Sequence, residues 1–331
     1  MKSSHLLTLF ILFSCCNESP TEIFQTQRNE TIDIQNKIKQ WEINDPIISQ
    51  HSNLYLMKDY IIITDWKAYD KQIHLFDKNN FQYITSTTKI GQGPKEITHI
   101  NGIIPNERQG KFYATDGGKR KLFSFDLDSL LTNPDYTFTT KADLHWDYPA
   151  NFTYIEDTFT IAQMADFNEE GIGQLAAGIW NINTGKFRKG YQHPTIEESI
   201  FQFAASEKAG IYIICYAYND LMTICDLNGN LKYNIYGPKW KDKSRNFKYY
   251  SMGACIGKDK IYTLYSGKRR NSSENYPNKI FVFDINGNYL KTLETGYNAT
   301  SICYDEDNHR LIFSFDDDIQ FGYLDLKGII Q

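Results

Sequence analysis

Seven aspartates, Asp65, Asp77, Asp116, Asp126, Asp226, Asp284 and Asp325, are the residues whose type and recurrence could support chemistry in this 331-residue chain. Carboxylates brought together act as a general acid and base pair, or hold a divalent cation. Here each one ends an apolar run at the point where a turn begins. A carboxylate in that position accepts the backbone N–H groups of the turn that follows, which is a building role rather than a catalytic one. The acidic run from Asp305 to Asn308 lacks the spaced ligand series of a calcium loop and reads as a turn between two strands. "GQGPKEI", residues 91–97, lacks the Lys-Ser/Thr of a phosphate loop and the third Gly of a dinucleotide fingerprint, so its role is read as structural. There is no GxSxG elbow and no HExxH, and the seven His are scattered singly. No cofactor or metal site is expected, and no nucleophile has an arguable base.

Thiols give a different signal at each end of the chain. The N-terminus, "MKSSHLLTLFILFSCCNESP", has a positive Lys2, an apolar stretch from Leu6 to Phe13, and Ser14 before Cys15. Leu12-Phe13-Ser14-Cys15 fits the cleavage and acylation box of a bacterial lipoprotein, with Cys15 carrying the lipid. The apolar stretch is too short to span a bilayer, so the expected state is anchored to a membrane without crossing it. Residues 1–14 are then a signal peptide, and residues 15–35 the attachment Cys and a flexible polar tether. Cys215, Cys225, Cys255 and Cys303 show no metal-ligand spacing. Cys215 and Cys225 lie on the two arms of one expected hairpin and read as buried free thiols.

The elements that must position any site are strands. Aromatic residues make up 15% of the chain, with 23 Tyr and 21 Phe, and short β-branched and aromatic runs dominate. A hairpin phrase recurs six times: "IHLFDKNNFQYI", "LFSFDLDSLL", "GIWNINTGKFRKG", "MTICDLNGNLKYNIYG", "IFVFDINGNYLKTLETG" and "FGYLDLKGII". Asn-Gly and its relatives take up the positive φ of a tight hairpin. The copies recur about every 50 residues, which is the period of a four-stranded propeller blade, and each follows another strand pair. The expected fold is all-β: a six-bladed β-propeller of four-stranded antiparallel blades spanning residues 36–331. The sixth unit ends before its outer strand. Residues 38–43, "IKQWEI", alternate suitably and are expected to close it as an N-terminal strand.

The lipoprotein box, the recurring hairpins and "GQGPKEI" resemble the TolB-like and NHL-like six-bladed β-propeller lipoproteins of Bacteroidota, in which a Gly-x-Gly-Pro-Gly-Glu-Phe type phrase joins successive blades. Lys95 and Ile97 stand here where that phrase has Gly and Phe. The resemblance covers essentially the whole mature chain and implies fold more than function. It implies a bacterial envelope location, lipid-anchored at the outer membrane. Some six-bladed propellers are metal-dependent hydrolases or lyases of the lactonase-like type, which makes that class the alternative to a non-catalytic binding module. The net charge of −5 gives no case for nucleic acid. Propeller ligands are usually held by the loops between second and third strands and between blades. Those loops offer Trp66, Tyr69, Arg120, Trp146, Tyr148, Tyr218 and Arg269 as candidate contacts, with Tyr249 and Tyr250 nearby. Such a rim suits an envelope protein, a peptide or a carbohydrate.

Overall fold

The computed structural model describes residues 21–144, 149–156, 158–167, 173–196, 200–272 and 276–330. Six sheets form a closed ring of blades. Their innermost strands are Ser52–Met57, Ile100–Asn106, Pro149–Tyr154, Phe201–Ser206, Phe247–Ile256 and Ala299–Asp305. The third strands end at Asp77, Asp126, Asn181, Asp226, Asp284 and Asp325, the six repeat positions. Five of the six lead into their turn as capping predicts. Asp77 accepts the N–H of Asn79, Asn181 that of Asn183, Asp226 that of Asn228 and Asp284 that of Asn286. Asp126 caps a short helix, Leu127–Thr132, by accepting from Ser129.

Middle strands pack on both faces, so they are buried along nearly their whole length rather than on alternate residues. All six residues of Ile211–Tyr216 and of Arg310–Phe315 are buried. Each crevice between neighbouring blades holds its own apolar core. Cys215 sits opposite Met222 in the ladder, and Cys225 opposite Tyr212. The two thiols are therefore out of register with each other, and both are buried and free.

Ring closure falls where the sequence places it. Lys39–Gln40 pairs antiparallel with the third strand of blade 6, with Gln40 opposite Gly322 and Lys39 opposite Tyr323. Trp41 donates its N–H to Phe321 at 3.0 Å and buries its ring among Phe76, Phe81 and Phe321. Blade 1 and blade 6 thus share a core closed by the N-terminal segment.

The tether expected over residues 15–35 is corrected for its described part. Glu22–Phe24 adds a parallel fifth strand to the outer edge of blade 4, and Thr31–Asp33 adds one to blade 5. Between them, the Arg28 guanidinium enters the crevice between the two blades and meets Asp220 at 3.1 Å, with both side chains buried. Ile34 is fully buried in the core between blades 5 and 6. Unpaired backbone at an exposed sheet edge invites pairing, and a segment with apolar residues at Ile23, Ile32 and Ile34 supplies it. Residues 21–34 are a strap, continuous with the closing strand.

Candidate functional site

The face carrying the loops between second and third strands is held together by buried carboxylates. Asp65 accepts from Ser49 N at 2.6 Å, Ser49 Oγ at 2.6 Å and Lys67 N at 2.9 Å. Asp116 accepts from the N–H groups of Thr98, Gly118 and Lys119 and from the Thr98 hydroxyl. Asp220 accepts from Lys239 N at 3.0 Å as well as from Arg28. Each of these aspartates is fully buried and ties its own loop to the chain entering its blade or leaving it. Asp65 and Asp116 thus fill the turn-building role expected of the repeated aspartates, whereas Asp325 accepts from Lys39 Nζ of the closing strand at 2.7 Å.

"GQGPKEI" serves the same face. Glu96 accepts from Gly93 N at 2.7 Å, and Ile97 is fully buried between blades 1 and 2. Lys119 Nζ reaches the carbonyls of Gly93 and Glu96 at 2.6 Å each. A Cβ at Gly91 would meet the Glu96 carboxylate, which would have to swing from its present place to admit it.

The candidate contacts sit on this scaffold as follows. Trp66 is 39% exposed, lies 4.8 Å from the His51 ring and 6.0 Å from His99, and has Lys67 Nζ 4.9 Å above it. It therefore leans on the segments entering blades 1 and 2. Tyr69 is fully exposed. Arg120 takes a positive φ of 53° in its turn, and its carbonyl accepts from Leu144 N at 2.8 Å. Tyr218 stacks under the Arg270 guanidinium at 5.0 Å, and Arg269 is exposed beside it. Topology puts Trp66, Tyr69, Arg120, Tyr218 and Arg269 on one face, from blades 1, 2, 4 and 5. Trp66 of blade 1 meets His99 at the entry to blade 2, and Tyr218 of blade 4 meets Arg270 of blade 5. Cys15, Trp146 and Tyr148 lie outside the described residues. Tyr249 and Tyr250 are not rim residues: both are fully buried, at an irregularity of the strand Phe247–Ile256.

Sequence reading missed the opposite mouth. The turns between first and second strands line a cavity of about 640 Å³, with Pro105, Phe152 and Tyr154 on its wall and Glu107, Arg108 and Glu207 among its charged residues. Burial, together with the neighbouring Tyr113, pushes the Tyr154 phenol well above its usual pKa, so it stays protonated. Arg108 of blade 2 pairs with Glu207 of blade 4, and Lys208 of blade 4 with Glu306 of blade 6 at 2.6 Å. Each pair joins blades that are not neighbours, so these side chains reach over the channel mouth. The channel itself holds about 390 Å³, and the described residues lining it include no carboxylate and no imidazole. Among the described residues, no group of three or more His, Cys, Asp and Glu could hold a metal ion. The turns at this mouth carry mixed charge in the sequence, but the pairing between distant blades leaves no local trace.

Comparison with known proteins agrees with this architecture. A family described as a 6-bladed beta-propeller, DUF5128, matches residues 43–170. A putative exported protein from Bacteroides fragilis superposes with a TM-score of 0.58 at 7% identity, covering 92% of this chain and 98% of its own. A DUF4221 family member from Bacteroides vulgatus gives 0.54 at 12% identity, covering 87% of this chain and 97% of its own. The WD40 repeats of RRP9 give 0.59 at 9% identity, covering 88% and 97%. At these identities the likeness is one of fold. No curated protein matches the chain.

Proposed function

We propose that the chain is a non-catalytic binding propeller of the bacterial envelope, lipid-anchored through Cys15 at the outer membrane, whose loop-bearing face holds an envelope protein, a peptide or a carbohydrate. The observation that carries this reading is the use of the buried carboxylates. Asp65, Asp116 and Asp220 spend their oxygens on backbone N–H groups, an ordered hydroxyl and a buried arginine. That leaves them building a rigid rim rather than polarising a substrate. The rim then presents Trp66, Tyr69, Arg120, Tyr218 and Arg269 as stacking faces and paired donors. Trp146 and Tyr148 belong to the same proposal by sequence position. A Bacteroides fragilis protein of the same fold, described as a putative exported protein, is consistent with an envelope location. Among the described residues, no helix is long and apolar enough to cross a membrane.

A second placement of the ligand is favoured by one feature, the cavity of about 640 Å³ at the opposite mouth, whose size falls in the range of small-molecule sites. Purifying the acylated protein from its native envelope and identifying what accompanies it tests the binding reading. A partner retained by the wild type and lost from Trp66→Ala/Arg269→Ala supports the loop-bearing face. Retention by that variant, with loss from Tyr154→Ala, moves the site to the opposite mouth. Metal analysis of the same preparation tests the alternative of a metal-dependent hydrolase or lyase, for which a stoichiometric ion would be the sign.

A further inference from the structure

Residues 238–248, "PKWKDKSRNFK", gather five basic residues against one acid in a chain whose net charge is −5. This segment leaves the outer strand of blade 4, and Lys239, Lys241 and Lys243 are exposed on it. Trp240 lies within it, 5.1 Å from the Phe24 ring and 5.2 Å from Tyr236. Phe24 stacks flat on Tyr236 at 4.5 Å and still leaves 53% of its surface in solvent. Lys241 Nζ stands 5.6 Å from the Trp240 ring, and Lys239 Nζ 5.2 Å from Phe247. Acids close to this cluster are engaged by donors, Asp220 by Arg28 and Lys239 N. Asp242 accepts from Ser244 N and the Tyr249 hydroxyl, and Glu22 from the Asn234 amide.

The position of this patch is a second, independent observation. Phe24 belongs to the first strand of the strap, Glu22–Phe24. Cys15 stands only six residues before Thr21, where the described chain begins. Six residues reach at most about 20 Å when fully extended. Acyl chains on Cys15 would therefore hold the outer edge of blade 4 close to the bilayer surface.

We propose that Phe24, Trp240 and the lysines at 239, 241 and 243 form a docking surface for an anionic lipid bilayer, so that the propeller lies with blade 4 against the membrane. The ammonium groups meet headgroup phosphates, and the Trp and Phe rings enter the interfacial layer, where amphipathic aromatics are favoured. Local concentration rests on the acylation of Cys15, whereas the attraction of the patch does not.

The test uses the processed full-length protein in vesicles of phosphatidylcholine alone or with phosphatidylglycerol, the acyl chains being brominated to quench nearby Trp. Quenching is expected in the anionic vesicles, weak in the neutral ones, and lost in Trp240→Phe. Lys239→Gln/Lys241→Gln/Lys243→Gln should weaken the anionic dependence by roughly fivefold per lysine. Quenching indifferent to headgroup and to these substitutions overturns the proposal. So does a variant that loses retention on heparin while its quenching is unchanged, which assigns the patch to a soluble polyanion. Mass spectrometry of the N-terminal peptide judges the acylation reading separately. If Cys15 carries no lipid, flotation of that chain with anionic vesicles, lost in the triple variant, still supports the patch, and failure to float overturns it.

Discussion

Replacing Arg28 by Met tests the strap most directly. The guanidinium is almost wholly buried, with Asp220 Oδ1 at 3.1 Å, Gln25 Oε1 at 2.8 Å and the Phe281 ring 4.6 Å beneath it. Met keeps much of the volume and removes the charge. Asp220 then remains buried with the N–H of Lys239 as its remaining donor among these contacts. Removing one partner of a buried pair costs about 3 to 5 kcal/mol, and the retained N–H argues for about 3. Unfolding entropy of about 2.1 cal/mol/K per residue over roughly 300 residues turns 3 kcal/mol into a fall in Tm of about 4 to 5 °C. Calorimetry reads that shift, and hydrogen exchange shows whether residues 21–34 open first. Asp220→Asn should cost a similar amount, and the double variant less than the sum, because the two side chains serve each other. A Tm within 1 °C of wild type for Arg28→Met, with exchange over residues 21–34 unchanged, would refute the strap as a fastened element.

Three further outcomes follow from the same geometry. His74 is buried against Ser86 at 2.7 Å, and burial lowers its pKa to about 4. Below the unfolded value of 6.5 the unfolded chain binds the proton first, so stability falls as pH drops from 6.5 to 4, by about 3 kcal/mol, and His74→Gln should flatten that stretch of the denaturation profile. Trp41→Ala empties the core that closes the ring and should cost about 3 to 5 kcal/mol by urea denaturation, and a loss below about 1 kcal/mol would mean the ring closes without it. Once a ligand is in hand, Trp66→Ala or Arg269→Ala should weaken it by on the order of 2 kcal/mol, about thirtyfold, with Tm unchanged; titration calorimetry showing full affinity in both would move the site off that face.

How much of this was legible depends on how local each signal is. Blade number and hairpin positions could be read because Asp77, Asp226 and Asp284 cap turns a few residues away. Ring closure could be read because blade 6 lacks an outer strand and "IKQWEI" alternates. The strap could not: its strands are three residues each, and Arg28 meets Asp220 across 192 positions. Tyr249 and Tyr250 looked like rim aromatics because they follow a polar loop. Their strand pairs Tyr250 with Tyr265 and then skips to Ala254, and that irregularity carries both rings inward. The ion pairs over the opposite mouth escaped for the same reason as the strap, since residues 99 and 98 positions apart meet there.

The strap also explains which blade edges are covered. Leu231–Tyr236 and Tyr289–Glu294 are full six-residue outer strands, the first carrying Leu231, Tyr233 and Ile235 and the second Tyr289, Leu290 and Leu293, and these two receive the strap. Tyr83–Ile90, longer still, receives Glu96–Ile97 from the "GQGPKEI" turn. Blades 2 and 3 carry no fifth strand among the described residues. Their outer strands are Thr139–Asp143, mostly exposed with Lys141 and Asp143 on it, and Phe187–Lys189, three residues with Arg188 and Lys189. Short or charged edges resist pairing with another chain, whereas long edges with apolar residues invite it. Fifth strands therefore fall where the sequence left an edge unprotected. In blades 4 and 5, the N-terminal residues of the propeller protect their own fold by the same hydrogen bonds that fasten them to it.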